Sequence, residues 1–398
     1  MTTVVGIWPN PASPPTDLRA AADLAFLRST TSPAVGDGES IRVADLFSGC
    51  GAMSVGIAEA CRALGLRFEA AAALEIDALA IGVYAKNFGL RGARAKPRDL
   101  GAELAKYALR RKCTRGERAM RRRIGRVDLA VAGPPCQGHS DLNNSTRRAD
   151  PRNELYLRVA RFAKVFTPRW IIVENVTAVR HDKGNVVQRT TDALVQLGYE
   201  VVEGVVSLQE IGVPQTRRRH VLLAVRRKGR GHVEKPLEAV DAMIAKYRTD
   251  RRTVEWAIKD LDGGMGPWTA FDTSSRATAR TQERIDWLFD HDAHNLPDSE
   301  RPDCHRTKEH SYKSVYGRMW WDRPAPTITG GFETMGRGRF VHPGCRRTIT
   351  PHEAARLQMI PDFFDFSPAL QAHSRLAVII GNAVPPKLSY VLALELLR

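Results

Sequence analysis

Cys136 stands in a stiff, polar turn and is the side chain of this sequence with the clearest chemical potential. It follows the apolar run of residues 127–132 and a Gly-Pro-Pro turn over residues 133–135. Proline fixes φ, so two consecutive prolines lower the entropy lost in holding a reactive group in place. Free cysteines are usually buried packing residues, but a thiolate is also a strong nucleophile. Because the residues around Cys136 are polar and turn-forming, the pattern favours a nucleophile.

A carboxylate and two arginines form a second group of candidates. Glu174 ends the apolar run of residues 170–173. A carboxylate at such a place is a candidate general acid or base, although a surface or capping role is as common. Arg217 and Arg219 lie just before the strand-like residues 220–225, where alternation sends both side chains to one face. Two guanidinium groups on one face could orient a carboxylate or bind phosphate, unless that face simply meets solvent.

A glycine-bearing turn follows an early apolar run. Residues 45–51 read Asp-Leu-Phe-Ser-Gly-Cys-Gly, and glycines allow a tight turn and the close approach of a ligand to the backbone. Glu75 ends the next strand-like run and could accept hydrogen bonds from ribose hydroxyls. Each feature alone is a moderate signal, since a glycine turn after a strand is often only a turn. Together they indicate an adenosine-containing cofactor.

The elements that must position these residues alternate along the chain. We predict strands over residues 41–47, 68–74, 127–132, 170–173, 199–207 and 220–225, and helices over residues 53–64, 78–88, 155–166 and 185–197. Such alternation is typical of a doubly wound α/β fold, with a mostly parallel sheet and helices on both faces. Ligands of these sheets bind at the carboxyl ends of the strands, and the candidates up to Glu174 all fall at such ends.

The rest of the chain divides by composition. Residues 1–40 contain five prolines and are expected to form a largely disordered extension, with one possible helix over residues 18–27. After residue 226 the alternation stops, and charge, glycine and proline predict a small, separate, loop-rich domain. Regular patterns then return and end in an apolar helix that packs back on the first domain. The predicted divisions are residues 1–40, 41–226, 227–311 and 312–398, with the last helix over residues 388–397.

Charge and cysteine content limit the class of protein. The 398 residues include 60 Lys+Arg against 44 Asp+Glu, a net charge of +16. A polyanion is the expected partner, nucleic acid ahead of a membrane surface, although a charged surface can serve solubility alone. We expect no membrane span, because no apolar run reaches about 18 residues, and no export signal, because residues 1–20 lack a basic segment followed by an apolar one. Six scattered cysteines suit a reducing cytoplasm, and their spacing predicts no zinc site; Cys304 with His305 and His310 is the weak exception.

One segment carries more than half of the net charge. Residues 106–126 hold ten Lys/Arg and a single acid, Glu117, for a local net charge of +9. Such a segment could be a solvated connection between strands. It could equally contact phosphates, which would make nucleic-acid binding strongly salt-dependent.

In their order and spacing, these motifs resemble those of the DNA (cytosine-5)-methyltransferase family. The similar stretches are residues 45–51, 133–137, 174–176, 215–219, 323–329, 350–358 and 381–386. Seven motifs in one order are jointly very specific, and the resemblance covers about residues 41–225 and 312–398. It implies a Rossmann-like methyltransferase domain, S-adenosyl-L-methionine as cofactor and double-stranded DNA as substrate. The small domain over residues 227–311 would then be the target-recognition region.

The resemblance also implies a role for each matching residue. Cys136 would add to cytosine C6, and Glu174 would contact N3 of the base. Arg217 and Arg219 would position the base and hold Glu174 or the backbone. The methyl group would pass to C5 of a base flipped out of the duplex. The implied cofactor-binding residues are Asp45, Phe47, Gly49, Gly51, Glu75, Ile76, Asp99, Leu100, Pro135, Asn382 and Val384.

Several positions depart from the family pattern. Ala52 stands where glycine is usual, His139 stands where an aromatic is usual, and Met359-Ile360 replaces a common Gly-Phe. Ala52 and His139 motivate one alternative, a catalytically silent DNA-binding homologue. The short recognition region motivates another, a tRNA cytosine-5 methyltransferase.

The retained Cys136, Glu174, Arg217 and Arg219 argue against the silent homologue. The Pro-Pro-Cys-Gln motif and the basic residues 106–126 favour DNA over tRNA. We expect a monomeric, cytoplasmic, nucleoid-associated bacterial protein with a possible cognate restriction endonuclease. Neutralising Arg121, Arg122 and Arg123 should flatten the salt dependence of DNA binding.

Overall fold

A six-stranded sheet lies at the centre of the part of the chain that the computed structural model describes. The described residues are 8, 16–105, 109, 112–135, 151–227, 236–262, 269–306 and 315–398. The strands are β1 Ser40–Leu46, β2 Arg67–Leu74, β3 Leu129–Ala132, β4 Trp170–Val176, β5 Tyr199–Ser207 and β6 Arg218–Arg226. Their order across the sheet is β2-β1-β3-β4-β6-β5. β1 to β4 pair in parallel, and β6 runs antiparallel to both of its neighbours.

Helices connect and cover these strands. The α-helices are α1 Thr16–Leu27, α2 Ala52–Ala63, α3 Ala78–Phe88, α4 Leu100–Glu103, α5 Arg115–Ile124, α6 Arg158–Phe166, α7 Val186–Gln196, α8 Val240–Ala245, α9 Val254–Ile258, α10 Ala279–Asp290, α11 Asp303–Arg306, α12 Pro351–Leu357, α13 His373–Asn382 and α14 Pro386–Leu397. A 3₁₀ helix, Pro151–Leu157, precedes α6, so the α-helix predicted from residue 155 begins at Arg158.

Two apolar layers cover the two faces of the sheet. Successive side chains of a strand point to opposite faces, so Val43 and Ala44 of β1 belong to different layers. One layer joins the sheet to α2, α9, α12, α13 and α14, and the other joins it to α5, α6 and α7. β3 is buried along its whole length, as expected for a parallel strand covered on both sides. The predicted doubly wound, mostly parallel α/β fold is confirmed.

The last helix packs closely on α2. A Cβ atom built at Gly56 would lie 2.0 Å from the carbonyl oxygen of Pro386, so only glycine permits this approach. The Ser389 hydroxyl donates a hydrogen bond to the carbonyl of Met53 at 2.7 Å. The segment before α14 is thereby brought over the start of α2. By length and composition the stretch His373–Leu397 could cross a membrane, but 83% of its most apolar window is buried inside the protein.

The N-terminal segment differs from the expected disordered extension. Trp8, Phe26 and Leu27 are fully buried in the main core. The Trp8 ring lies 4.2 Å from Phe26 and 4.8 Å from Tyr390 of α14, measured between ring centroids. Lys387 of α14 donates a hydrogen bond to Asp23 of α1 at 2.6 Å. The possible helix over residues 18–27 forms as α1, and the expectation of disorder is wrong for Trp8 because it gains a buried apolar site between α1 and α14.

The boundary of the small domain differs from the one predicted over residues 227–311. Residues of α8 and α9, such as Met243 and Ile258, belong to the main core. A second, smaller core forms around α10, where Ile285 and Leu288 pack with Val341 and their neighbours. The described part with a core of its own therefore begins after α9 and extends past residue 311. Composition missed this because α8 and α9 are too short to show a clear apolar period.

Candidate active site

The candidate residues meet at one edge of the sheet. Because β1, β3 and β4 are parallel neighbours, their carboxyl ends lie side by side. β6 runs the other way, so its first residues reach the same edge, where Arg219 is opposite Val176. The glycine turn after β1, the Gly-Pro-Pro turn after β3 and Glu174 in β4 are thus gathered at the place where such sheets bind ligands.

Glu174 and Arg219 form a buried ion pair across two strands. The Nε atom of Arg219 lies 2.7 Å from Oε1 of Glu174, and the two side chains are only 12% and 7% exposed. The other carboxylate oxygen, Oε2, is 3.8 Å from the position that a Cβ atom would take at Gly133. One oxygen is therefore held by the guanidinium group, and the other faces the turn after β3.

Asn175 connects that turn to β4. Its side-chain amide donates a hydrogen bond to the carbonyl of Pro134 at 3.2 Å, and its carbonyl oxygen accepts one from the Val176 N–H at 2.8 Å. The turn that leads into the predicted nucleophile is thereby held against the strand that carries Glu174. Cys136 lies outside the described residues, as does His139.

Arg217 has a different position from Arg219. It precedes β6, is buried, and donates hydrogen bonds to the carbonyl of Ile328 at 3.2 Å and to Oε1 of Gln358 at 3.3 Å. The alternation argument predicted two guanidinium groups on one face with a common task. The structure pairs Arg219 with Glu174, whereas Arg217 contacts backbone and side chain of the C-terminal motifs.

Two buried glutamines, which the sequence reasoning did not single out, connect four of the motifs. Gln215 donates hydrogen bonds to the carbonyl of Leu357 at 2.6 Å and to Gln358 at 3.0 Å, and it accepts one from the Ile328 N–H at 3.0 Å. Gln358 donates to the carbonyl of Ile380 at 2.8 Å and to that of Ala383, in the last motif, at 3.2 Å. The signal was present, because both glutamines stand inside quoted motifs, but only their burial shows the shared network.

The turn after β1 depends on positive φ angles. Phe47, Gly49 and Gly51 have φ of 58°, 52° and 95°. A Cβ atom at Gly51 would lie 2.6 Å from the Tyr84 ring, whereas a Cβ atom at Gly49 would meet open space. Gly51 is therefore required by packing as well as by conformation, and Gly49 leaves room for a ligand beside the backbone.

Glu75 holds this turn by accepting backbone hydrogen bonds. Its carboxylate accepts from the N–H groups of Gly49 at 2.9 Å, Ile76 at 2.8 Å and Asp77 at 2.9 Å. A carboxylate offers about four acceptor positions, so one remains for a ligand hydroxyl. Ile76 beside it is one of the few exposed large apolar side chains, 69% accessible.

Asp45 lies beneath the turn rather than on its open side. It is buried and accepts a hydrogen bond from the Ser54 hydroxyl at 2.6 Å, and Ser54 also bonds the Tyr84 hydroxyl at 2.9 Å. Burial raises the pKa of Asp45 from 3.8 to about 8, and the charge of Glu75 adds to the rise. Asp45 was predicted to bind the cofactor. In this buried position it supports the turn instead.

The remaining predicted cofactor residues lie near the same edge or lead to it. The Arg98 N–H donates to the carbonyl of Glu75 at 2.6 Å, which brings the following Asp99 beside the end of β2. The Asp99 carboxylate caps α4 by accepting from the Gly101 N–H at 2.7 Å. Leu100 and Val384 are buried, Pro135 is half-buried, and Asn382 is exposed at the end of α13.

Two of the departures from the family pattern have a structural setting. Ala52 is the first residue of α2, and its methyl group is buried in the main core. Met359 is also fully buried and has a φ of 59°, in the region that favours glycine, so the common glycine has a conformational reason there. Neither change adds a polar or charged side chain.

One group of possible metal ligands occurs among the described residues. Single ligand atoms of Asp262, His342 and Cys345 lie within 4.8 Å of one another. However, Nδ1 of His342 accepts hydrogen bonds from the N–H groups of Gly344 at 3.0 Å and Cys345 at 2.9 Å. Burial raises the pKa of the Cys345 thiol, so it stays protonated at neutral pH. These atoms stabilise a turn, and the absence of a metal remains a prediction.

The sheet order, the glycine turn after β1 and the acid after β2 define a Rossmann-like methyltransferase fold. The structure is similar to that of the S. pombe Dnmt2 methyltransferase, with a TM-score of 0.56 and 17% identity over 90% of this chain and 98% of that one. At this identity the likeness establishes the fold alone.

The sequence narrows the class further. The model of the C-5 cytosine-specific DNA methylase family matches residues 41–398, and the chain belongs to that family. It is 45% identical to the Type II methyltransferase M1.BsuMI of Bacillus subtilis, over 90% of this chain and 81% of that protein. It is 33% identical to the Type II methylase M.HgiDII of Herpetosiphon aurantiacus, over 68% and 76%. The protein is therefore a DNA (cytosine-5)-methyltransferase, as the motifs predicted.

Proposed function

We propose that this protein transfers a methyl group from S-adenosylmethionine to C5 of a cytosine in duplex DNA, with Cys136 as the nucleophile. The observation that carries the proposal is the buried Glu174–Arg219 pair, at 2.7 Å, beside the turn that leads to Cys136. A paired carboxylate can bind the N3 edge of a cytosine without an uncompensated charge. A stacked base cannot reach a pair this deep, so the target nucleotide leaves the duplex.

The residues at the turn after β1 fit an adenosine-containing cofactor. Gly49 leaves open space beside the backbone, Glu75 keeps one acceptor position for a ribose hydroxyl, and Ile76 offers an exposed apolar surface for a base. Enzymes of this family generally use S-adenosylmethionine, which supplies an electrophilic methyl group on a sulfonium sulfur. Asp99, Asn382 and Val384 would complete the pocket, with Asp99 toward the adenine amino group.

The proposed chemistry divides between Cys136 and Glu174. The Cys136 thiolate adds to C6, and the C5–C6 electron pair moves toward C5 while Glu174 stabilises or protonates N3. C5 would then take the methyl group that S-adenosylmethionine supplies when bound, with the cofactor's sulfur as the leaving group. Loss of the C5 proton to a base and departure of the Cys136 thiolate restore the aromatic ring. Arg219 acts as a positioning residue, because it holds one oxygen of Glu174 and leaves the other toward the site.

Bisulfite sequencing of DNA from a host that expresses the protein tests this proposal. We expect 5-methylcytosine at a recurrent sequence in cells with the wild-type chain and none with Cys136→Ser. Cys113→Ser is the matched control, because Cys113 is a half-buried free cysteine outside all seven motifs and should keep full activity. Full methylation by Cys136→Ser would contradict the mechanism. Methylation of tRNA alone, measured with labelled cofactor, would contradict DNA as the substrate.

The named relatives support a place in a restriction–modification system. Both are Type II enzymes, and the one from Bacillus subtilis is 45% identical to this chain. We infer that the protein acts in the bacterial cytoplasm and protects DNA from a cognate endonuclease. DNA extracted from the host should then resist an endonuclease whose gene lies beside that of the methyltransferase. Cleavage of the methylated DNA by that endonuclease would contradict a shared restriction–modification system.

A further inference from the structure

A cavity rich in arginine lies away from the candidate active site. It has a volume of about 1090 Å³. Seven arginines line it. Four come from α5 and the turn after it, namely Arg118, Arg121, Arg122 and Arg126, and three come from two other places, namely Arg169, Arg226 and Arg227. Asp128 is the single acid in the lining. The basic segment noticed in the sequence is therefore only part of a larger cationic surface, which we call the arginine cavity.

The arginine cavity lies at the amino edge of the sheet. Asp128 precedes β3, Arg169 precedes β4, and Arg226 ends the antiparallel β6. Backbone hydrogen bonds join the three, from the Arg169 N–H to the Asp128 carbonyl at 2.8 Å and from the Arg226 N–H to the Arg169 carbonyl at 2.9 Å. Glu174 is four residues along β4 from Trp170, or about 13 Å at roughly 3.3 Å per residue. The cavity and the candidate active site thus open on opposite edges.

Most of the positive charge in the cavity is not neutralised within the described chain. All seven arginines are exposed. Arg126 pairs with Asp128 at 3.1 Å, and Arg227 lies 3.8 Å from Glu200. Arg121, Arg122 and Arg226 form no ion pair with any described residue. Cations near a helix C-terminus interact favourably with the helix dipole, which explains the arginines in the last turn of α5. It does not explain those at the end of β6 and just before β4.

The arginines of α5 are held on a rigid support. The helix begins with a Thr114–Glu117 capping box. Glu117 is fully buried and forms an ion pair with Arg161 of α6, with Nη2 to Oε2 at 2.5 Å. Met120 and Ile124 pack into the layer beneath the sheet. The buried face of α5 therefore fixes the helix, and the opposite face presents the arginines in a defined arrangement.

We propose that the arginine cavity binds the phosphate backbone of a second DNA segment, separate from the segment whose base enters the active site. Guanidinium groups bind phosphate through paired hydrogen bonds, and duplex DNA carries one charge per about 1.7 Å of its axis. Arginines spread over three elements suit such a row of phosphates better than one small anion. A straight duplex seated on the carboxyl edge cannot also reach the amino edge. The inference rests on the proposed function only in taking DNA as the substrate.

The test uses the 398-residue protein and a 16-base-pair DNA duplex of arbitrary sequence. The variant R121S/R122S/R226S removes three charges that have no described partner, and R121K/R122K/R226K is the charge-matched control. At low salt, and at protein concentrations well above the dissociation constant, we expect two duplexes per wild-type chain, two per lysine variant and one per serine variant. Equal thermal unfolding midpoints establish that both variants fold.

The salt dependence of binding gives an independent readout. Each phosphate contact contributes a slope of about 0.9 in log K against log salt, so three lost contacts should reduce the slope by about 2.7. Between 50 and 200 mM salt this amounts to about a 40-fold smaller loss of affinity. An unchanged slope with an unchanged stoichiometry in the serine variant would overturn the proposal, and so would displacement of the second duplex by tRNA at lower concentration than by DNA. Methyl transfer to host DNA, measured with the same protein preparations, distinguishes the two hypotheses. The proposed function fails if wild-type protein leaves that DNA unmethylated, whatever the number of duplexes bound.

Discussion

Replacement of Arg161 by methionine should strongly destabilise the protein, because it leaves a buried carboxylate without its partner. Arg161 and Glu117 are 4% and 0% exposed, and two hydrogen bonds of 2.7 and 2.5 Å join them. Burial opposes ionisation of Glu117, but hydrogen bonds from Arg161 and from the Thr114 and Ala105 N–H groups lower its pKa from 4.5 to about 2. This difference corresponds to about 3 kcal/mol, and breaking a buried pair usually costs about 3–5 kcal/mol.

The assay is urea-induced unfolding at pH 7 of wild type, R161M, E117Q and the double variant E117Q/R161M. We expect R161M to lose about 3 kcal/mol, and the double variant to lose less, since it buries no lone charge. The pKa of Glu117 is lower in the folded state, so its contribution is complete above about pH 4.5 and is lost as the pH falls toward 2. The advantage of wild type over E117Q should shrink in that range. Equal stability of R161M and wild type at pH 7 would refute the reasoning.

Three further substitutions have definite expected outcomes. Glu174→Gln removes the charge that Arg219 holds at the site, so the turnover number for methyl transfer should fall about 100-fold or more while cofactor binding persists; an unchanged rate would exclude a role in the reaction. Gly51→Ala places a Cβ atom 2.6 Å from the Tyr84 ring, so it should weaken cofactor binding measured by calorimetry. The control is Gly65→Ala, also at positive φ but in open space, which should lower the free energy of unfolding by only about 1 kcal/mol and leave cofactor affinity intact. Trp8→Ala removes a fully buried indole and should lower the free energy of unfolding by about 3–5 kcal/mol, a loss that urea titration would detect; no change would mean that the N-terminal segment does not pack on the core.

Local patterns in the sequence were sufficient to predict most of the sheet. β2, β3 and β4 are short apolar runs bounded by turns, and the helices between them show clear apolar periods. Apolar period carries no information about strand direction, and so it could not indicate that β6 runs antiparallel to its neighbours. The N-terminal segment escaped prediction for a related reason, because the burial of Trp8 depends on Tyr390, far away in the chain.

The sequence predicted single residues of the candidate site, but it did not predict the hydrogen bonds that connect the motifs. The motifs located Glu174, Arg219 and the glycine turn, and the parallel sheet explains why their positions at strand ends bring them together. Strand alternation could not separate Arg217 from Arg219, because Arg217 precedes β6 and its partner Ile328 is distant in sequence. The buried side chain of Gln358, which contacts both Arg217 and the Ile380 carbonyl, is likewise visible only once the fold brings the motifs together.

The decisive measurement concerns the bond between Cys136 and the target base. Once bisulfite mapping has identified the methylated sequence, a duplex carrying 5-fluorocytosine at that position can be incubated with protein and cofactor. Fluorine cannot leave C5 as a proton does, so the thiol should remain attached to C6 after methyl transfer. Mass spectrometry under denaturing conditions should then show a covalent protein–DNA complex with wild type and with Cys113→Ser, and none with Cys136→Ser. A complex of equal yield with Cys136→Ser, or methylation by wild type without any complex, would contradict the proposed nucleophile.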